Sequence, residues 1–89
     1  MERTSLSKFK LPDTPGVYFF KKGRTTLYIG KATSLRDRVR SYFASDIVST
    51  RGEAVARMVN EATSIAHTKT DSVLEALILE ANLIKSHQP

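Results

Sequence analysis

The sequence predicts a small α+β domain, in which a mainly antiparallel three-stranded sheet is flanked by helices in the order β-β-α-α-β-α. Three observations predict it. Two β-branched and aromatic runs, VYFFK (17–21) and TLYIG (26–30), flank a short basic loop at Gly23, which is a hairpin pattern. Three later segments repeat apolar residues at helical spacing. A short run between the second and third of these, SIAHTKT (64–70), reads as another strand.

The chain has 89 residues, enough for one domain with one modest core, since 40% of them are apolar. It has no cysteine, which excludes disulfides and cysteine-based zinc sites. The apolar runs are too short to span a bilayer, and the start, MERTSLSKFKL, lacks the apolar stretch of a secretory signal. A cytoplasmic protein with no membrane association is the expectation. The formal charge is +5, unevenly spread. Residues 1–50 carry ten Lys/Arg against four Asp/Glu, a net of +6, and residues 51–89 carry four against five, a net of −1. Such a basic front half suits a polyanion, or is simply a solvated basic surface.

Residues 1–11 read as a basic tail that Phe9 and Leu11 could partly order, with the domain occupying 12–89. Pro12-Asp13-Thr14-Pro15-Gly16 makes a turn into the first strand. If the hairpin loop is about three residues centred on Gly23, Tyr18 lies opposite Tyr28 and the two rings share a face. A slip of one residue would separate them. Thr33 or Ser34 then caps a helix running to about Ala44, with Leu35, Val39, Tyr42 and Phe43 on its apolar face. Arg36 and Arg40 flank that stripe on one side. Arg38 flanks it on the other, beside Tyr42, roughly 80° from the stripe centre, where a side chain can reach into a cleft. Residues 45–50 read as a polar linker, and a second helix covers about 51–62. Asp71 or Ser72 caps the last helix, whose apolar face is Leu74, Leu77, Ile78, Ala81 and Ile84. Glu80 falls about 100° from the centre of that face, and Leu83 on the outer side.

Phosphodiester hydrolysis is a chemistry these residues could perform. It needs a deprotonated water, positive charge for the phosphate oxygens and a proton for the leaving group. A lone carboxylate such as Glu80 can hold one Mg²⁺ or Mn²⁺. Arg38 can grip a phosphate with both arms of its guanidinium. If the chain curls after Gly30, Lys31 can stand beside Tyr28 and favour its phenolate, which makes Tyr28 a candidate base. The same residues also suit plain roles: Tyr18 and Tyr28 as cross-strand packing, Arg38 and Lys31 as solvated charges, Glu80 as the partner of a basic side chain. His67 and His87 have no metal-ligand spacing, and there is no P-loop, dinucleotide fingerprint or serine-triad signature. Taken alone, the residues support a basic domain that binds nucleic acid and leave catalysis open.

Gly16-Val17-Tyr18, then Tyr28-Ile29-Gly30, Lys31-Ala32, Arg38 and Leu79-Glu80-Ala81-Asn82-Leu83-Ile84 together carry a resemblance that covers about residues 11–89. The chain resembles the GIY-YIG nuclease superfamily and, within it, the UvrC-type domains of bacterial nucleotide excision repair. The resemblance implies a metal-dependent endonuclease that cuts one DNA strand on the 3′ side of a lesion. It implies one divalent cation (Mg²⁺ or Mn²⁺) on Glu80, Tyr28 as the general base aided by Lys31, and Tyr18 as a second base candidate or phosphate contact. It also implies a phosphate-stabilising role for Arg38 and an active-site position for Tyr42. Arg36, Arg40 and Lys31 are the candidate DNA contacts. The implied partners are damaged double-stranded DNA and a UvrB-type protein, the latter through regions absent here, with the domain itself monomeric. In that family a Pro-x-Tyr-Asn-like segment follows the final helix, and its asparagine lines the site. This sequence stops at Pro89, so a piece of a longer chain is expected. The alternatives are a non-cleaving DNA- or protein-binding module and a shorter UvrC-like incision nuclease.

Overall fold

The computed structural model describes residues 9–43 and 47–87. Their elements are β1 (Gly16–Lys22), β2 (Thr25–Ala32), α1 (Leu35–Arg40) continued by a 3₁₀ turn at Ser41–Phe43, α2 (Ile47–Arg51), α3 (Glu53–Glu61), β3 (Ser64–Lys69) and α4 (Val73–His87). The sheet is antiparallel in both pairings, in the order β2-β1-β3. The helical connection from β2 therefore returns the chain to the far edge of β1. This is the α+β architecture expected from the hydrophobic patterning.

The hairpin differs from expectation in a way that cancels. Lys22 pairs with Thr25, so the turn is Gly23-Arg24 alone. Gly23 has φ 60 and no non-glycine residue among those described has a positive φ, the sign pattern of a type II′ turn. A bulge at Phe20/Lys21 then leaves Leu27 out of the pairing, so that Phe20 faces Tyr28 and Tyr18 faces Gly30. Tyr18 is not directly opposite Tyr28. The shorter turn shifts the register by one place and the bulge by a second. Because strand side chains alternate with period two, the rings stay on the same face.

That face is the core. Tyr18, Phe20, Ala32 and Ile65 of the sheet pack with Leu35 and Val39 of α1, Tyr42 of the 3₁₀ turn, and Val59 and Ala62 at the end of α3. Phe9 and Leu11 rest against it, while the remainder of the expected tail, residues 1–8, lies outside the described residues, as does Ala44. Ser34 caps α1, its Oγ accepting from the Asp37 N–H at 3.3 Å, and Ser72 caps α4, accepting from the Glu75 N–H at 3.1 Å. In place of a linker followed by one helix there are two short helices, because Gly52 at φ 91 breaks the run between α2 and α3. The expected linker positions 45 and 46 lie outside the described residues.

The last helix corrects the sequence reading. α4 lies over β1 and β2, and the side it turns inward carries Ala76 (fully buried), Leu79, Glu80 and Leu83. The expected apolar face is the exposed one, with Leu74, Leu77 and Ile78 at 65%, 45% and 53% exposure, and Leu83 is half-buried rather than outward. The helix is apolar most of the way round, so periodicity gives its stripe only a weak direction. Tertiary demands decide instead. Small Ala76 fits against the sheet, and Glu80 meets Lys31 of β2. Among the described residues no helix is long and apolar enough to cross a membrane.

Candidate active site

The two glycines flanking the hairpin are fixed by contact. A Cβ on Gly30 would stand 2.3 Å from both the hydroxyl oxygen and Cζ of Tyr18, and one on Gly16 would meet the Thr68 carbonyl at 2.5 Å and Leu35 Cδ1 at 2.7 Å. The Tyr18 ring thus lies directly over the Gly30 backbone of the neighbouring strand. Tyr18 is buried, and its hydroxyl shares a 2.5 Å hydrogen bond with that of Tyr42, delivered by the 3₁₀ turn after α1. Tyr28, on the edge strand, is 38% exposed. The three rings form a triangle, with centroid separations of 6.5 Å (Tyr18–Tyr28), 5.6 Å (Tyr18–Tyr42) and 6.1 Å (Tyr28–Tyr42).

Burial is the main force on their acidity. It raises all three phenols, taking Tyr42 up to about 12 with further help from its bond to Tyr18. Tyr28 is raised next by the nearby Tyr42 and, more weakly, by Glu80. Arg38 is solvent-exposed on α1 but interacts with the Tyr18 hydroxyl, and that contact stabilises its charge. Lys31 and Arg38 line one cleft of about 200 Å³, closed by Ala32, Thr33, Val73 and Ala76. On the rim, the Lys31 Nζ stands 3.6 Å from Glu80 Oε1.

Tyr18, Tyr28, Tyr42, Arg38, Lys31 and Glu80 therefore form one connected set drawn from β1, β2, α1, the 3₁₀ turn and α4. The expected Tyr28–Lys31 pair takes a different form. β2 runs on without a curl to Ala32, Lys31 is turned to Glu80, and the cation that favours the Tyr28 phenolate is Arg51. Arg36 stands apart, paired on the surface with Asp13 at 3.3 Å and Asp37 at 3.0 Å, and Arg40 is exposed beyond it. Arg51 was not singled out by the sequence. Its guanidinium carbon lies 4.1 Å from the Tyr42 ring centroid and its Nη2 donates to Ser41 Oγ at 2.9 Å. No local motif marks it, because only the packing of α2 brings it to the tyrosines. Among the described residues no three His, Cys, Asp or Glu gather as a metal cage. A lone, largely buried carboxylate, 17% exposed, suits a cation that keeps most of its own waters.

A tyrosine triangle bordered by Arg38, Lys31 and Arg51 and by a single carboxylate holds the groups that phosphodiester chemistry calls for. A family model described as the UvrC-like GIY-YIG domain matches residues 14–89. The UvrABC system protein C of Natronomonas pharaonis is 50% identical over 80 residues, and that of Thermus thermophilus 52% over 79. These matches take in 90% and 89% of this chain but only 13% and 12% of the relatives. The GIY-YIG N-terminal endonuclease domain of UvrC from Thermotoga maritima, crystallised with its catalytic divalent cation, magnesium, superposes with a TM-score of 0.81 at 39% identity, covering 100% of this chain and 96% of that one. Three of its single tyrosine-to-phenylalanine variants were also solved with the divalent cation bound. The chain belongs to the UvrC-like GIY-YIG domain family.

Proposed function

We propose that this chain is a divalent-cation-dependent DNA endonuclease domain that hydrolyses a phosphodiester on the 3′ side of a lesion during nucleotide excision repair. The observation that carries it is the convergence of three tyrosines, Arg38, Lys31 and Glu80 from five separate elements in a chain of this family. Glu80 is the residue that holds the cation, Mg²⁺ or Mn²⁺. A hydrated divalent ion there supplies charge for the phosphate oxygens and an acidified water. Arg38 binds the phosphate across the cleft from Lys31, whose ammonium occupies the Glu80 carboxylate until the cation displaces it. Tyr28 fits the base better than Tyr18, because it is the exposed tyrosine of the three, whereas Tyr18 is buried and bonded to Tyr42. Tyr18 and Tyr42 then act as a pair that fixes the ring beside the phosphate. Arg40 is the freer candidate for the DNA backbone, since Arg36 is already neutralised by two carboxylates and Lys31 is paired with Glu80.

Damaged double-stranded DNA is the substrate on this reading. A UvrB-type protein is the partner, through regions beyond this chain, and the domain works as a monomer in the cytoplasm. Replacing Glu80 by Gln is expected to abolish Mn²⁺-dependent nicking of plasmid DNA while leaving circular dichroism and unfolding behaviour intact. Retained nicking would remove Glu80 from the metal role. A second reading, a module that binds DNA or protein without cutting, draws on the basic front half and on the exposed Leu74, Leu77 and Ile78. It predicts DNA affinity that falls with salt and ignores Mn²⁺, with no turnover.

A further inference from the structure

The tyrosine triangle is closed on one side by a residue outside the set so far assigned. Arg51, the last residue of α2, is half-buried and makes two contacts at once. Its guanidinium carbon lies over the Tyr42 ring, 4.1 Å from the centroid, and Nη2 donates to Ser41 Oγ at 2.9 Å. Ser41 Oγ in turn donates to the Arg38 carbonyl at 2.5 Å. Arg51 thus grips two consecutive residues of the 3₁₀ turn and, through Ser41, the end of the helix that carries Arg38. Gly52, at φ 91, ends α2 at this residue and starts α3 on a new course.

We infer that Arg51 is a positioning residue of this site, clamping the Tyr42 ring so that its hydroxyl stays against that of Tyr18. The inference rests on the nuclease reading for its catalytic consequence, and on the geometry alone for the clamp. Arginine suits the task because a planar guanidinium can stack on a ring and donate within its plane simultaneously, whereas an ammonium has no plane to stack. The charge also falls on the side of the phenols, where it favours the ionised forms of Tyr28 and Tyr42 against the burial that opposes them.

The test uses the 89-residue chain labelled with ¹³C-tyrosine, comparing wild type with Arg51→Met and Arg51→Lys. In Arg51→Met the ring signals of Tyr42 and Tyr18 should shift and broaden while circular dichroism is unchanged. Nicking with Mn²⁺ should lose about tenfold in kcat with KM within about twofold. Arg51→Lys, which keeps the charge but not the stack, should recover only part of either effect. Tyr42 and Tyr18 signals unmoved in Arg51→Met would overturn the clamp. A loss confined to KM would overturn it too, by making Arg51 a DNA-backbone contact. A wild-type chain that does not nick would count against the nuclease reading instead, and the ring signals would still decide the clamp.

Discussion

The hydroxyl oxygens of Tyr18 and Tyr42 stand 2.5 Å apart in the buried heart of the domain, although the residues are 24 positions apart in sequence. One comes from the central strand and the other from the 3₁₀ turn after α1, so this bond fixes the helix carrying Arg38 to the sheet. Each hydroxyl has a further partner, Arg38 at Tyr18 and Tyr28 at Tyr42, so the bond is the centre of a chain of polar contacts.

Tyr18→Phe and Tyr42→Phe are each expected to lose about 1 kcal/mol of stability, the worth of one hydrogen bond, since the remaining hydroxyl keeps its second partner, Arg38 or Tyr28. The double variant should lose less than the sum, since both single changes remove the same Tyr18–Tyr42 bond. Urea unfolding of the four proteins checks this, and simple additivity would show that the hydroxyls do not depend on each other.

The raised tyrosines make stability fall at alkaline pH. A phenol in the unfolded chain ionises near 10, whereas burial and the bond to Tyr18 hold Tyr42 protonated until about 12. The folded state therefore keeps its proton longer. This contribution is fully present below the unfolded value and is lost as pH climbs from there toward the folded one. Tyr18, raised by the same burial, acts with the same sign. Unfolding midpoints measured across this window should decline, and Tyr42→Phe should flatten the decline.

Gly30→Ala is expected to cost about 3 kcal/mol, because the new methyl meets the Tyr18 ring, a buried side chain with little freedom to retreat. Gly23→Ala has open space around it and only an unfavourable φ of 60, and should cost about 1–2 kcal/mol. Thermal unfolding ranks the two. A milder effect at Gly30 than at Gly23 would mean that the ring moves aside easily.

Lys31 and the proposed cation compete for the same carboxylate. Removing the ammonium in Lys31→Met should tighten Mn²⁺ binding by about twofold to fivefold, a modest gain because the Lys31–Glu80 pair is partly open to water. Titration calorimetry reads this without any need for turnover. Weaker binding in Lys31→Met would show that the lysine supports the ion site rather than opposing it.

Much of this was legible in local chemistry. The strands announce themselves by β-branched and aromatic residues. Ser34 and Ser72 are capping residues at the heads of their helices, and the spacing of Arg38 and Tyr42 puts them on one edge of α1 whatever it packs against. What escaped depends on partners distant in sequence. The inward side of α4 is chosen by Lys31 and by the fit of Ala76, against a richer apolar stripe that stays outside. The break between α2 and α3 turns on the backbone angle of Gly52, and Arg51 reaches the tyrosines only once the helices have packed.

The two departures in the β1–β2 hairpin constrain how such a chain can diverge. A turn lengthened or shortened by one residue, with the bulge kept, would turn Tyr28 to the wrong side of the sheet; so would loss of the bulge alone. Insertions and deletions here are therefore tolerated in compensating pairs. What the site demands around Gly23 is an even or odd count of residues, and of the two turn residues only Gly23 is held to its identity, by its backbone angle.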